Sequence, residues 1–324
     1  MNVAPSAAAR AGKKKRPALS RSNRKKNLWL MTMVAPGAVW LLLIRYLPMF
    51  GIVIAFKNYR AFKPNTFWNN IIKSDWVGLK NFEFLKFPDT AVMIRNTLGY
   101  NLLWIVLGLV IAVAFAIMMS ELRNRFAAKA YQTMMFFPYF LSWVVASYFV
   151  MAFLDPTSGM IPALQKSMGI KPTNFYHDTT YWPLILTLCS MWKNIGYSSV
   201  LYLAAITGID TSLYEAAAVD GATKWQQVKN ITLPSILPTI SILFILAVAG
   251  ILGNDYQKIL LMYSPRTYST ADVVNTYVYR YGIETAGNHL SYSSAVGLLV
   301  NVVSLIFLFI ANTVPGKLSE TSLF

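Results

Sequence analysis

The chain has 324 residues, 56% hydrophobic and only 13% charged, whereas a soluble domain usually carries about 25% charged residues. Charge is missing in blocks long enough to cross a bilayer, which points to an integral membrane protein and excludes an ordinary soluble fold. The formal charge of +16 is concentrated at one end: nine of the 29 Lys/Arg lie in residues 1–26, where there is no Asp or Glu, a pattern that marks the cytoplasmic end of a first span rather than a nucleic-acid-binding arm.

Residues 1–26 read as a basic, disordered cytoplasmic tail. The apolar run over 28–56 is too long for a signal-peptide core and lacks a cleavage pattern, so it reads as a retained first span. It contains Arg45, which either snorkels to an interface or faces a partner or the pathway. Residues 57–95 are polar and aromatic. Further spans are expected at about 97–119, 131–153, 182–206, 236–253 and 291–312, and residues 314–324 form a short tail. Turn signals at Asp155–Pro156 and Ser158–Gly159 sit in the loop 154–180, and residues 258–290 read as a Tyr-rich loop. The expected fold is therefore all-α, with six transmembrane helices.

Six spans place both termini on one side of the membrane. The basic residues divide 15 to 12 in favour of the N-terminal side, and their density before the first span makes that side cytoplasmic. The single cysteine, Cys189, allows no intrachain disulfide and no Cys-based metal site. His177 and His289 are far apart in sequence, so no metal site is expected.

The most informative polar stretch is 210–239, DTSLYEAAAVDGATKWQQVKNITLPSILPT. Ser212 with Glu215, and Thr223 with Gln226, have capping-box spacing. Asp220–Gly221 between them is turn chemistry, Gly221 supplying the left-handed conformation that ends the first helix. Trp225, Val228 and Ile231 fall on one helical face. Pro234 is expected to end that helix, with Pro238 just inside the next apolar run. A capped helix–turn–helix on the cytoplasmic side has the form of a docking element.

Glu215-Ala216-Ala217, Asp220-Gly221-Ala222 and Ile231-Thr232-Leu233-Pro234 together resemble the EAA loop of binding-protein-dependent ABC importer permeases. The resemblance extends from about residue 28 to the end of the chain. YLPMFGIVIAFKNY (46–59), VGLKNF (77–82) and WKNIGYSSVLYLAAI (192–206) are similar to the carbohydrate branch, which handles complex oligosaccharides and polysaccharide fragments, alginate among them. The resemblance implies a type I importer fold in the bacterial inner membrane, with 210–235 as the coupling loop and residues 27–313 as the transmembrane domain. It implies four kinds of partner besides the bilayer: a second related permease, two copies of an ATP-hydrolysing subunit, an extracytoplasmic solute-binding protein, and the sugar it delivers. ATP and Mg would belong to the ATPase, with no cofactor on this chain, and nucleic acid is not expected. Glu215, Ala216, Ala217, Asp220 and Gly221 would couple to the ATPase through a short helix at about Leu213–Val219.

The resemblance also places Lys193, Asn194, Tyr197, Gly250 and Asn254 at positions that line the sugar site in maltose-importer permeases. Lys193 departs from the pattern, where an apolar residue is usual. Facing the pathway, its ammonium would suit an anionic sugar such as a uronate; alternatively it pairs with Asp255 or snorkels to the outer interface. Tyr139, Trp143 and Trp192 offer ring faces for sugar stacking, or else pack as core and interface aromatics.

Rival classes lack their signatures. There is no D-x-D, no His pair at i,i+4, no G-x-S-x-G and no Walker A sequence, so neither a membrane glycosyltransferase nor an ATPase is expected. A secondary transporter would show internal repeats and mid-span carboxylates. A neutral oligosaccharide or a non-sugar solute remains an alternative cargo.

Overall fold

Apolar runs become long helices here, and the residues that interrupt helical hydrogen bonding decide where they bend. The computed structural model describes residues 21–60, 66–122, 124–253, 256–280 and 289–313. The chain forms two compact units, residues 1–52 and 53–324. In the first unit α1 (Arg21–Leu41) leads into a π turn over Leu42–Tyr46. The helix thus begins inside the segment read as a disordered tail. Side chains from Asn27 to Phe50 are all exposed, which suits so apolar a helix where lipid replaces water. Arg45 lies in the π turn.

The second unit opens with a folded cap where the sequence suggested a polar loop. β1 (Lys57–Asn58) and α2 (Phe67–Lys73) precede β2 (Asp75–Trp76), which pairs antiparallel with β1, Lys57 opposite Trp76. The amide of Asn81 donates to the carbonyls of Ala55 and Lys57, both at 2.9 Å. Helix α3 (Pro88–Ser120) starts at Pro88 rather than near Thr97, Pro being well tolerated in a first helical turn. Its 33 residues span roughly 50 Å at 1.5 Å per residue, well beyond a hydrocarbon core of about 30 Å.

The single span expected over 131–153 is two helices, α4 (Arg125–Phe140) and α5 (Trp143–Leu154), bent by 98° at their junction. Pro138 removes a backbone donor within α4. Leu141 is extended, and the hydroxyl of Ser142 caps α5 by accepting the Val145 N–H at 3.2 Å. The Asp155–Pro156 turn is present: Asp155 Oδ1 accepts the N–H groups of Thr157 and Ser158 at 2.9 and 2.8 Å. Helix α6 (Met160–Ser167) follows, and then α7 (Trp182–Thr207), at the position expected for the fourth span.

Three further elements run as one helix: α9 (Lys224–Gln227), a π turn over Val228–Thr232, and α10 (Leu233–Ala249), preceded by the separate α8 (Thr211–Val219). The fifth long helix therefore begins well before Ile236. Pro234 does not end it, because the widened π turn just before it tolerates a missing donor that a regular turn would not. The region read as a Tyr-rich loop carries three short helices, α11 (Gln257–Met262), α12 (Tyr268–Ala271) and α13 (Val274–Tyr279). Helix α14 (Leu290–Thr313) closes the described chain.

Among the described residues, four stretches are long and apolar enough to cross a membrane unaided: 27–56, 88–120, 224–249 and 290–312. The bent α4–α5 pair supplies a fifth candidate. Helix α7 is long enough at 26 residues but carries Lys193 and Asn194.

Three apolar clusters hold the second unit together. One joins α3, α5, α7 and α11 around Trp104, Trp143, Trp182 and Ile259. The second joins the start of α3 to α13 and α14 around Met93, Tyr277 and Val296. The third packs the far ends of α3, α7 and α10 around Ala116, Tyr202 and Ile236. Helices α3 and α7 run through two or all of these, so they form the central pair. Helix α7 also crosses α4 so closely that a Cβ on Gly196 would lie 1.9 Å from the Met135 carbonyl oxygen. Both atoms are backbone-bound, so the helices themselves would have to separate. Gly196→Ala is expected to destabilise the complex by about 1–3 kcal/mol through overpacking. Gly297→Ala, at a helical site with nothing within 4 Å, is expected to be neutral or slightly stabilising. Thermal unfolding of the two purified variants checks the contrast.

Candidate functional site

Two regions gather the residues singled out by sequence. The first is the connector between α7 and α10. Its opening helix α8 is capped by Asp210, whose Oδ1 accepts the Ser212 N–H at 2.9 Å. Ser212 is thus in the first turn, and the capping box expected from Ser212 and Glu215 does not form. The cap two residues earlier wins because Asp210 is extended (φ −62°, ψ 122°) and aims its carboxylate at the orphan donors. That bond, with a second contribution from the Ser212 side chain, holds the Asp210 carboxyl below its usual range.

The end of α8 is built by Gly221, at φ +79°. The Gly221 N–H donates to Ala218 O at 3.1 Å and the Ala222 N–H to Ala217 O at 2.9 Å, the paired bonds of a Schellman motif. Thr223 then opens α9 with a complete capping box: the Thr223 N–H donates to Gln226 Oε1 at 2.7 Å, and its hydroxyl faces the Gln226 N–H. Tyr214 and Thr232 share a hydroxyl hydrogen bond of 2.9 Å, which seats α8 against the π turn. No residue of α8 is buried. Glu215, Ala216 and Asp220 are exposed and Ala217 is half-buried. Val219 and Trp225 are 88% and 72% exposed, and Trp225 does not join Val228 in the core as its spacing suggested. The result is a short, rigidly capped helix presenting small and apolar side chains outward. Lys224 at the start of α9 pairs with Glu121 at the end of α3 at 3.0 Å.

The second region is a half-open cavity of about 430 Å³ lined by α3, α7, α10 and α11. Two of the expected pathway residues line it, Asn194 and Gly250. Asn194 donates to the Ser190 carbonyl at 2.9 Å. Asn254, and Asp255 with it, lie outside the described residues.

Lys193 and the aromatics sit elsewhere. Lys193 is 93% buried, at 7% exposure, and its ammonium donates to Tyr139 O at 2.8 Å, to Leu141 O, and to Pro138 O at 3.5 Å. The Tyr139 and Leu141 carbonyls lie at the α4–α5 bend, where helical partners run out, while Pro138 O also accepts the Leu141 N–H at 3.2 Å. A cation is well suited to them, because a helix C-terminus carries partial negative charge. The Tyr139 and Tyr197 rings stack on each other, centroids 4.4 Å apart and 8° from parallel. Trp143 is buried in the first core cluster, and Trp192 packs edge-on against Phe149. The structure thus joins Lys193, Tyr139 and Tyr197 into one group at the α4–α7 contact, away from the cavity lining.

The cation that does line the cavity is Lys258, which sequence reasoning left in an outer loop. It is 3% exposed, its ammonium lies 3.4 Å from the centroid of the Trp104 ring, and it donates to Ser190 Oγ at 3.1 Å. The signal was present: Lys258 is followed by Ile-Leu-Leu-Met, an apolar run in which a lysine is costly unless partnered. Asn101 and Trp104 of α3 were also missed. Trp104 is fixed by its indole N–H, which donates to Thr187 Oγ1 at 3.1 Å, and by stacking on Tyr100.

Two variants test these assignments. Lys193→Met leaves the part-buried Tyr139 and Leu141 carbonyls short of a donor and is expected to destabilise the complex by about 1–3 kcal/mol, read as a fall in unfolding temperature. For Asp210, protonation weakens the cap by removing the charge that strengthens its hydrogen bond. Because its folded pKa is depressed, its stabilisation is present above the unfolded value of about 3.9 and is lost as pH falls through the folded value. Asp210→Ala is therefore expected to speed amide hydrogen exchange over residues 211–219 at neutral pH, with Asp210→Asn close to wild type.

Comparison with known proteins agrees with the architecture. Residues 105–319 match the family described as binding-protein-dependent transport system inner membrane component. Protein LplB of Bacillus subtilis (strain 168) is 35% identical over 93% of this chain and 92% of its own. The polygalacturonan/rhamnogalacturonan transport system permease protein YteP of the same organism is 33% identical over 91% and 90%. Among solved structures, a bacterial ABC transporter involved in the import of the acidic polysaccharide alginate aligns with a TM-score of 0.82 at 32% identity, covering 92% of this chain and 98% of that one. The chain belongs to the family of inner-membrane components of binding-protein-dependent transport systems. It is a permease subunit of an ABC importer, a transport component rather than an enzyme, and it resides in the inner membrane.

Proposed function

We propose that this permease forms half of an ATP-driven pathway for an acidic oligosaccharide or polysaccharide fragment, an oligo-uronate of the alginate type. In this reading the chain crosses the membrane six times, with the α4–α5 pair and α7 among the crossings, and both termini are cytoplasmic. A second related permease completes the pathway, two ATPase subunits bind below, and an extracytoplasmic solute-binding protein delivers the cargo. A solved alginate importer is described in complex with its pentasaccharide-bound periplasmic protein, and its permease is 32% identical to this chain. ATP and Mg are handled by the ATPase alone.

The observation that carries the coupling role is the α8–Gly221–α9 hairpin. A helix with no buried residue and an almost fully exposed Val219 has no reason to be so firmly capped at both ends unless a partner receives it. Ala216 and Ala217 allow a close backbone approach, and Glu215 offers a carboxylate at the contact. Closure of the ATPase pair on ATP would move α8. The nature of the cargo draws on both named relatives: polygalacturonan, like alginate, is a polymer of sugar acids.

Gly221→Val forces a β-branched residue into a left-handed conformation, at a cost of about 1–2 kcal/mol or more. Glu215→Lys reverses the contact charge. Both variants are expected to insert and assemble but to lose substrate-stimulated ATP hydrolysis by about tenfold or more. The measurement is ATPase activity of the reconstituted importer with and without its binding protein and oligosaccharide. Wild-type stimulation in both variants would remove α8 from the coupling path.

A further inference from the structure

Trp225 serves no packing purpose within the described chain. Its spacing from Val228 and Ile231 suits the buried face of a helix, yet Val228 is buried and Trp225 is 72% exposed. Lys224, Gln226, Lys229 and Asn230 around it are exposed as well, whereas Gln227 and Val228 point inward. Trp225 therefore stands on the outer face of α9, an indole among polar side chains. An aromatic ring of this kind buries roughly 150–250 Å² when it is used in a core or an interface, so one left in water on a polar turn marks a contact surface.

Two surfaces could receive it: the headgroups of the bilayer, or the partner that receives α8. Height along the helix separates them. The apolar run of the long helix starts at Ile231, behind Lys229 and Asn230. At 1.5 Å per residue Trp225 lies about 9 Å beyond that run, whereas the headgroup layer extends only about 5–7 Å past the hydrocarbon core on each side. The connection to α8 points the same way. Only residues 220–223 separate α8 from α9. The paired bonds around Gly221 and the Thr223–Gln226 capping box fix the two helices to each other. The Tyr214–Thr232 hydrogen bond and the Lys224–Glu121 pair fix them to the rest of the chain. Val219 and Trp225 are thus carried on one firmly held hairpin, one on each side of its turn.

From this placement we infer that the ATPase-binding surface of this permease continues past α8 onto the outer face of α9, with Trp225 as its aromatic anchor. The inference rests on the proposed coupling role of α8 and adds to it a second helix and a named anchor. The receiving site on the ATPase subunit is an apolar-walled cleft with an acceptor for the indole N–H, the two features a buried tryptophan requires. The anchor supplies what α8 lacks. Ala216 and Ala217 let backbones approach closely but bury little apolar area, so α8 gives the contact its shape, and a single indole gives it the larger share of burial. The ordering cost is small, because Trp225 has two side-chain torsions to fix and sits in a turn already closed by its capping box.

The test is photocrosslinking in the complete importer, with p-benzoylphenylalanine in place of Trp225 and, in a second variant, in place of Val219. Illumination is expected to join both variants to the ATPase subunit, read as a band at the summed mass and as a linked peptide by mass spectrometry. With an ATPase adduct at 219, a phospholipid adduct alone at 225 makes Trp225 a membrane anchor, an adduct with the second permease alone places it in the permease interface, and no adduct confines the ATPase contact to α8. Each of these overturns the inference and leaves the coupling role of α8 standing. No ATPase adduct at either position overturns the coupling role and this inference with it. A second measurement reads the strength of the contact. Trp225→Ala is expected to speed dissociation of the ATPase subunit from the nanodisc-held importer roughly ten- to hundredfold, while Trp225→Phe, which keeps an aromatic ring, stays within about fivefold of wild type. Because the side chain is exposed, neither variant removes core packing. A wild-type dissociation rate in Trp225→Ala overturns the anchor role.

Discussion

Wherever a helix breaks inside a bilayer, its freed carbonyl and amide groups must find partners within the protein, because lipid offers none. That constraint explains the placement of several polar residues on the two unbroken central helices. Lys193 of α7 answers the carbonyls released at the α4–α5 bend. Polar residues near the start of α3 answer the irregular α11–α13 region. Asn96 donates to the carbonyls of Ser269 and Asp272, Thr97 accepts the Val274 N–H at 3.0 Å, and Tyr100 donates to Thr270 O at 2.6 Å. Asn275 in turn donates to Leu252 O, where α10 has ended. The long helices supply side-chain donors and acceptors, and the broken ones supply stray backbone groups. Removing either partner leaves a buried group unsatisfied, which costs more than the bond itself contributes.

The same constraint separates what was legible in the sequence from what was not. The α8–α9 connector was readable because its structure is set by local rules. Gly221 can adopt φ +79° without strain, and Thr223 and Gln226 are close enough to close a capping box on their own. Even there, the choice of Asp210 over Ser212 as cap depended on backbone angles that spacing does not reveal. The apolar runs gave the long helices, but not the 98° bend, since Pro138 and Ser142 look no different in sequence from residues of a mildly kinked span. The π turn before Pro234 was equally invisible, because propensity arguments weigh a proline against a regular turn.

The substrate region was legible only as a set of candidates. Lys193 lies within an apolar run and Lys258 at the head of one, and sequence does not tell which of them lines the cavity. Their roles diverge through tertiary geometry. The bend draws Lys193 toward α4. The termination of α10 at Ala249 and the restart at Gln257 turn Lys258 toward Trp104 and Ser190. Tyr139 and Tyr197 follow Lys193, since their stacked rings belong to the same α4–α7 contact. A residue's position on a helical face is therefore not enough to place it in a pathway when the neighbouring helix is broken.

The cavity and the connector are linked by one stiff element. From Lys224 to Ala249 the chain runs as a continuous 26-residue helix, roughly 39 Å at 1.5 Å per residue. Its first turn carries the Lys224–Glu121 pair, and its last turns place Leu243, Phe244, Ala247 and the adjoining Gly250 on the cavity wall. The facing wall, from α3 and α7, is held by the first apolar cluster, while the third packs α10 itself against both of those helices. In the proposed coupling, a displacement of α8 and α9 would reach the cavity through α10. The π turn at 228–232, directly beneath the Tyr214–Thr232 hydrogen bond, is where such a displacement enters the helix. The π turn, like Pro238 a turn and a half further on, interrupts the regular hydrogen-bond ladder of this helix. Under the proposed function, coupling would need no relay of small side-chain movements: a capped handle, a π turn and one continuous helix connect the contact with the partner to the cavity wall.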